Sequence, residues 1–165
     1  MPARLVWTKP HLTVTFTTVE LLPESQSKIR LARIGSSPLD PEALRHAIAE
    51  PAGGAIAIFV GIVRDHDEGR SVTALSYSAH PSASERLAEV LSKYAANVEV
   101  LALAVEHRIG DLQVGDIAVV CGVTSAHREV AFAVCSALIE EVKAEVPIWK
   151  NQTFADGSNE WIGAS

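Results

Sequence analysis

The chain has only two cysteines in 165 residues, Cys121 and Cys135, and they form neither a CxxC motif nor a Cys/His ligand spacing. Both lie in apolar runs, which reads as buried thiols in a reducing compartment, with no disulfide and no zinc. No apolar run approaches the roughly 20 residues needed to cross a bilayer, and the N-terminus lacks the basic stretch and apolar core of a secretory signal. A soluble, cytoplasmic protein with no membrane partner is expected. The glycine loops GxGxxG and GxxxxGK[ST] are absent, so neither usual nucleotide cradle is available, and there is no internal repeat or low-complexity tract. Basic charge is also scarce. Residues 1–36 carry five basic and two acidic side chains, whereas residues 37–165 carry nine basic and eighteen acidic. Such a body cannot offer the broad basic face that nucleic acid requires. Any cationic cluster in it must be local.

What is present fits one domain: the chain is 48% hydrophobic and long enough to bury its own core. Residues 1–36 read as an N-terminal extension, with a Thr/Val alternation at "LTVTFTTVELL" that suits an added strand or a flexible arm, and no chemistry is assigned to them. The body, residues 37–165, opens with a helix capped by Asp40, with Pro41 in its first turn and Leu44, Ala47 and Ile48 on one face. "GAIAIFVGIV" (54–63) is a strand-length apolar run, followed by the charged loop "RDHDEGR" and the alternating "VTALSYSA". Leu87, Val90, Leu91 and Tyr94 mark an amphipathic helix. Two further strands, "VEVLALAVEHR" and "DIAVVCGVTS", precede a long helix with a Val130, Val134, Leu138, Val142 stripe that Pro147 must stop. The tail reads as two short strands about "ADGSN". This order is α+β rather than a βαβ repeat.

The chemistry concentrates at strand and helix ends. Ser125 is the expected N-cap of the long helix, which puts His127 and Arg128 in its first turn beside free backbone N–H groups, an anion-binding arrangement. A solvated arginine and a bystander histidine account for them as well. Lys143 lies in the last turn, away from the apolar stripe, where Glu140 is a plausible ion-pair partner. Beyond the Val-Pro-Ile-Trp corner, with Ile148 and Trp149 as packing anchors, comes Lys150. Two ammonium groups held close together either clamp an anion or drive one of the pair to lose its proton and serve as amine nucleophile or base. Arg64 stands at the end of a strand, where side chains project into a mouth. His66 between Asp65 and Asp67 suggests a metal, but a solvated loop explains it equally, and no metal or other cofactor is expected. The adjacent His107 and Arg108 at another strand end are suggestive, but a strand-terminal turn with Gly110 and Gly115 accounts for them equally well.

Four segments in register, "FVGIVRDHDEG", "EHRIGDLQVGD", "VTSAHREVAF" and "VKAEVPIWK", resemble the catalytic (large) subunit of molybdopterin synthase over about residues 37–162. The resemblance implies an α/β hammerhead-type α+β fold with a mostly antiparallel sheet. It implies a homodimer at the centre of a heterotetramer, flanked by small ubiquitin-like sulfur-carrier subunits whose C-terminal Gly-Gly thiocarboxylate enters a pocket of the large subunit. The implied reaction is transfer of two sulfurs to cyclic pyranopterin monophosphate, giving the molybdopterin dithiolene. Lys143 and Lys150 match the family's active-site lysines. Arg64, His127 and Arg128 match substrate-pocket positions, Ile62 and Val63 line the same strand end, and Asn151 and Gln152, where this chain's "KNQ" departs from the family's usual sequence, are further substrate-binding candidates. Two other functions compete: a Schiff-base lysine enzyme acting on a phosphorylated carbonyl compound, which borohydride would trap, and a non-catalytic module that only binds the ubiquitin-like carrier.

Overall fold

Val100–Arg108 (β5) and Ile117–Ser125 (β7) are nearly continuous apolar runs, and in the computed structural model, which describes residues 27–163, they pair antiparallel at the centre of a four-stranded sheet. Ala55–Ile62 (β2) pairs antiparallel with β7 on one side. Ile29–Gly35 (β1) pairs parallel with β5 on the other. A second sheet contains His66–Asp67 (β3), Arg70–Ala79 (β4), Ile148–Phe154 (β8) and Asn159–Ile162 (β9) in that order, with Gly110–Leu112 (β6) also paired to β4. Every pairing except β1 with β5 is antiparallel. Three helices lie wholly among the described residues: Pro41–Ala47 (α1), Ala83–Ala95 (α2) and Arg128–Glu145 (α3). The expected α+β class therefore holds.

Period-two alternation divides the core. Leu103 and Val105 of β5, with Cys121 and Val123 of β7, face α2 and α3. Ala102, Ala104 and Val120 face the other way, where Leu44 and Ile48 of α1 cover them. A third cluster, Val63, Leu75, Leu112 and Ala118, packs the second sheet against the end of β2. That cluster fixes how the two sheets meet, and the meeting line becomes the floor of the site.

At the end of the N-terminal extension, the backbone of Ile29–Gly35 is hydrogen-bonded along β5, and Arg33 forms an ion pair with the buried Glu106 opposite it. The "LTVTFTTVELL" strand lies outside the described residues. Several expectations are corrected. Ser125 does not cap α3: its hydroxyl donates to the His127 carbonyl at 2.6 Å, and His127 occupies the N-cap without a side-chain bond. The buried stripe of α3 is Ala131, Cys135, Leu138, Ile139 and Val142, one residue round from the expected valines, so that Val130 and Val134 sit at its edge. Trp149 is no core anchor. It lies at the surface, edge-on to His80 with ring centroids 6.2 Å apart, and only Ile148 joins the core. Asp40 does cap α1, accepting from the Glu42 N–H at 2.9 Å. The two thiols are buried and unbridged, with Cys121 facing Cys135 between β7 and α3, and the Cys135 contact together with burial pushes the Cys121 thiol up.

Gly122 lets α1 approach β7. A Cβ there would stand 2.6 Å from both Ile48 Cδ1 and Leu44 Cδ2, the tips of two fully buried side chains. Gly122→Ala is expected to lower stability by about 1–3 kcal/mol through overpacking. Urea unfolding measures it, and an unchanged midpoint would contradict the packing described.

Candidate active site

The residue before a proline is barred from the helical region, so α3 ends where Val146 turns extended (φ −86°, ψ 118°). The His80 N–H donates to the Pro147 carbonyl at 3.0 Å, and β8 then pairs antiparallel with β4. This corner places Lys143, in the last turn of α3, and Lys150, on β8, around one cavity of about 400 Å³. Phe59, Ile62, Val63 and Arg64 from the end of β2, Tyr77 from β4 and Gln152 from β8 complete much of its wall. Ile62 is half exposed at its lip, whereas Val63 is buried in the floor.

The two lysines are held differently. Lys143 Nζ stands 5.2 Å from the centroid of the Phe59 ring and only 3.9 Å from Glu140 Oε1, a loose contact at the exposed helix end. Attraction to the ring face orients the ammonium without neutralising it. Lys150 is mostly buried and lies 3.5 Å from Asp67 Oδ2. Asp67 also accepts from Gln152 Nε2 at 2.8 Å and from Arg64 at 2.8 Å. The Gln152 hydrogen bond, followed by the charges of Lys150 and Arg64, holds the Asp67 carboxyl below the usual range against the opposing effect of desolvation. Asp67 is presented by a two-residue turn in which Glu68 (φ 48°) and Gly69 (φ 79°) both adopt positive φ, the conformation that joins β3 to β4. His66 also lines the cavity and is paired with Asp65 at 2.5 Å. Among the described residues no three His, Cys, Asp or Glu side chains converge as a metal site would require.

A second cavity of about 250 Å³ shares Tyr77, Val119, Lys143 and Lys150 with the first. Its other walls are largely apolar, from Ile139, Val142, Val146, Ile148 and Ile162, with His107 at one side. The His107 Nδ1–H donates to the Arg108 carbonyl at 2.9 Å, and burial pushes the imidazole pKa down, so the ring is neutral. It meets Tyr77 edge-on at 4.9 Å.

Lys143, Lys150, Arg64, Ile62, Val63 and Gln152 are thus brought together. Asn151 is not: it alternates with Lys150 and Gln152 on β8 and points to the other face of the sheet, where its buried Oδ1 has no hydrogen-bond partner. Nor are His127 and Arg128. They are exposed at the start of α3, and fifteen residues at 1.5 Å each put Arg128 about 22 Å along the axis from Lys143.

The model of the MoaE protein family matches residues 34–145. The chain belongs to the MoaE family. As a MoaE protein it is 42% identical over 132 residues to molybdopterin synthase catalytic subunit 1 of Mycobacterium tuberculosis, covering 79% of this chain and 89% of that one. It is 36% identical to the molybdopterin synthase catalytic subunit of Bacillus subtilis, over 79% of this chain and 83% of the relative. Among solved structures, molybdopterin synthase from Staphylococcus aureus superposes with a TM-score of 0.69 at 34% identity, covering 79% of this chain and 95% of that one. A complex of subunits 1 and 2 of molybdopterin-converting factor from Helicobacter pylori gives 0.62 at 27% identity, over 81% and 89%. The MoaE match ends with the last residue of α3, so Lys143 lies inside it while Lys150 and Gln152 lie beyond it.

Four residues of this MoaE site were not anticipated: Phe59, Asp67, Tyr77 and His107. Phe59 and Tyr77 look like ordinary strand hydrophobics, and only the fold turns them toward the lysines. Tyr77 and Tyr94 are the chain's two tyrosines. Burial pushes Tyr77 up, and burial with the Glu141 hydrogen bond takes Tyr94 to about 12. Both shifts raise the folded value, so their stabilisation is complete below the unfolded value of about 10 and is lost as pH climbs past it. Spectrophotometric titration should show no tyrosinate step at pH 10 in the folded protein and a step there in urea. A folded-state step at 10 would contradict the packing of both rings.

Proposed function

We propose that this chain is the catalytic subunit of a molybdopterin synthase, a sulfurtransferase of molybdenum cofactor biosynthesis. Each sulfur comes from the C-terminal Gly-Gly thiocarboxylate of one copy of a small ubiquitin-like carrier, which is left as the carboxylate, and two such transfers to cyclic pyranopterin monophosphate open the cyclic phosphate and leave the dithiolene. The observation that carries this reading is that Lys143, Lys150 and Arg64, from three separate elements, converge on one cavity in a body with twice as many acidic as basic side chains. Cleavage of the acyl–sulfur bond, by attack of water at the acyl carbon, and opening of a phosphate ester both develop negative charge on oxygen, which fixed cations in a partly dry site stabilise. The polar cavity with Arg64 and Gln152 suits the anionic pterin. The apolar one suits a peptide tail without side chains, and the lysines stand between the two.

Lys143 acts closest to the chemistry in this account: it is the lysine without a close carboxylate, and it borders both cavities. Lys150, tied to Asp67, positions and neutralises. His127 and Arg128 are too far from their own chain's cavity to touch its substrate. In the homodimer that the family resemblance implies, they can therefore serve only the partner subunit's cavity. Phe132, exposed one turn after Arg128 on the same helix face, offers an apolar anchor for that contact. Homodimer, flanking carriers and heterotetramer belong to this proposal, as does a cytoplasmic location, which the two unbridged thiols support.

With thiocarboxylated carrier and cyclic pterin precursor, wild type should form dithiolene product; absence of product where a known synthase works would overturn the assignment. Lys143→Ala should abolish turnover while the circular dichroism spectrum and carrier binding persist. Arg128→Ala should weaken precursor binding, and wild-type behaviour would remove it from the site. Dimers mixed from one Lys143→Ala and one Arg128→Ala chain should regain one working site of two. If they are no better than the parents, Arg128 does not act across subunits.

A further inference from the structure

The three donors best placed to receive an anion in the larger cavity, Arg64, Lys150 and Gln152, are already engaged by one internal carboxylate, Asp67, at 2.8, 3.5 and 2.8 Å. Asp67 is not part of the cavity wall. It reaches these groups from the rim, on the side occupied by Glu68, Arg70, Phe154 and Glu160. Arg70 does not share it, being bonded to Ser158 and Glu160, with Asp156 at 3.7 Å, and lying over the Phe154 ring. The other titratable group nearby, His66, is held by Asp65. Among the described cations Asp67 therefore engages only Arg64 and Lys150, with Gln152 as its neutral donor. Its place on a two-residue turn at a sheet edge, beside a largely exposed Arg64, leaves the pair free to part without disturbing the core.

We propose that Asp67 is an internal counter-ion to the anion seat: an incoming tetrahedral oxyanion of the phosphate type displaces it from Arg64 and Lys150, and it sets how tightly that anion binds. The inference rests on the functional reading only for the identity of the natural anion, since the competition itself follows from the contacts. In the empty site the single carboxylate offsets half of the positive charge that Lys150 and Arg64 bring. Occupation requires the ligand to outcompete it, so apparent affinity is reduced by the fraction of time the cations are engaged. A carboxylate that merely positioned Lys150 would act with the opposite sign, because its loss would loosen the lysine and weaken binding.

Sulfate serves as the probe, being a tetrahedral dianion that does not titrate near neutrality, and its binding to the full chain is followed by calorimetry and by amide shifts of residues 64–70 and 148–152. Asp67→Asn keeps the hydrogen-bonding shape and removes the charge. It should bind sulfate about tenfold more tightly than wild type, the factor expected if Asp67 engages the cations about nine-tenths of the time. Asp67→Ser should show the same direction, which guards against a folding defect in one variant. Adding Lys150→Ala to Asp67→Asn should remove the gain. Equal or weaker sulfate binding by both Asp67 variants, or a gain that survives Lys150→Ala, would overturn the proposal. No carrier or pterin enters the measurement. A chain that bound sulfate as described but transferred no sulfur would sink the function and leave this inference standing.

Discussion

Two lysines seven positions apart can border one cavity only because the helix that carries the first stops at a fixed place. Without Pro147, another helical turn would carry Lys150 round and away along the α3 axis. With it, Val146 is forced extended while its side chain remains buried, and the chain leaves the helix directly into β8. The Pro147 carbonyl then accepts from His80 just past the end of β4, which commits β8 to its register with β4. That register decides that Lys150 and Gln152 face the end of β2, and with it Arg64. A slip of one residue would exchange them for Trp149 and Asn151 and leave the cavity without its second lysine.

The electrostatic pattern follows from the same geometry. Most cations described have a close carboxylate: Arg86 with Glu89 and Glu145, Lys93 with Glu141, Arg33 with Glu106, Arg108 with Asp116. In a body with twice as many acids as bases such pairing is the default, and most of these pairs, being exposed, contribute little to stability. Lys143 departs from that default. Its nearest carboxylate is at the outer limit of an ion pair, and its other neighbour is an aromatic face. A ring holds an ammonium in place while leaving its charge available. Local positive potential in an overall negative molecule can then draw in an anion that the net charge would repel.

Much of the architecture was legible because it rests on local rules. The Asp40 cap with Pro41, the Leu87, Val90, Leu91 face and the tail hairpin each follow from spacing within one segment, and each is present. What was not legible depends on partners distant in sequence. Nothing within Ile29–Gly35 says that it pairs parallel with a strand seventy residues later. The cap of α3 was misplaced because Ser125 bonds the His127 carbonyl instead of a helical amide, which moves the helix start and turns its buried stripe by one residue. His127 and Arg128 share a helix with Lys143, yet helix length keeps them apart. Asp67 looked like one of two solvated loop carboxylates, and only the β8 register shows that Lys150 and Gln152 meet it.

The two cavities bear on what such a site must accomplish. On the proposed function, a peptide tail and a phosphate ester meet as two anions side by side, and in water their repulsion would oppose the encounter. Here the cavities have different walls, one polar with Arg64 and Gln152, one mostly apolar, and they share only Tyr77, Val119 and the two lysines. On the proposed reading, each ligand is accepted by the wall that suits it, and the shared side chains are the ones that must bear the charge where the two meet. Burial keeps the Tyr77 phenol protonated at that boundary, and the neutral His107 against its ring adds no further cation. Positive charge at the junction is thus confined to the lysines. This is why substitution there should strike the chemistry, whereas substitution at Asp67 should change only how readily the anion enters.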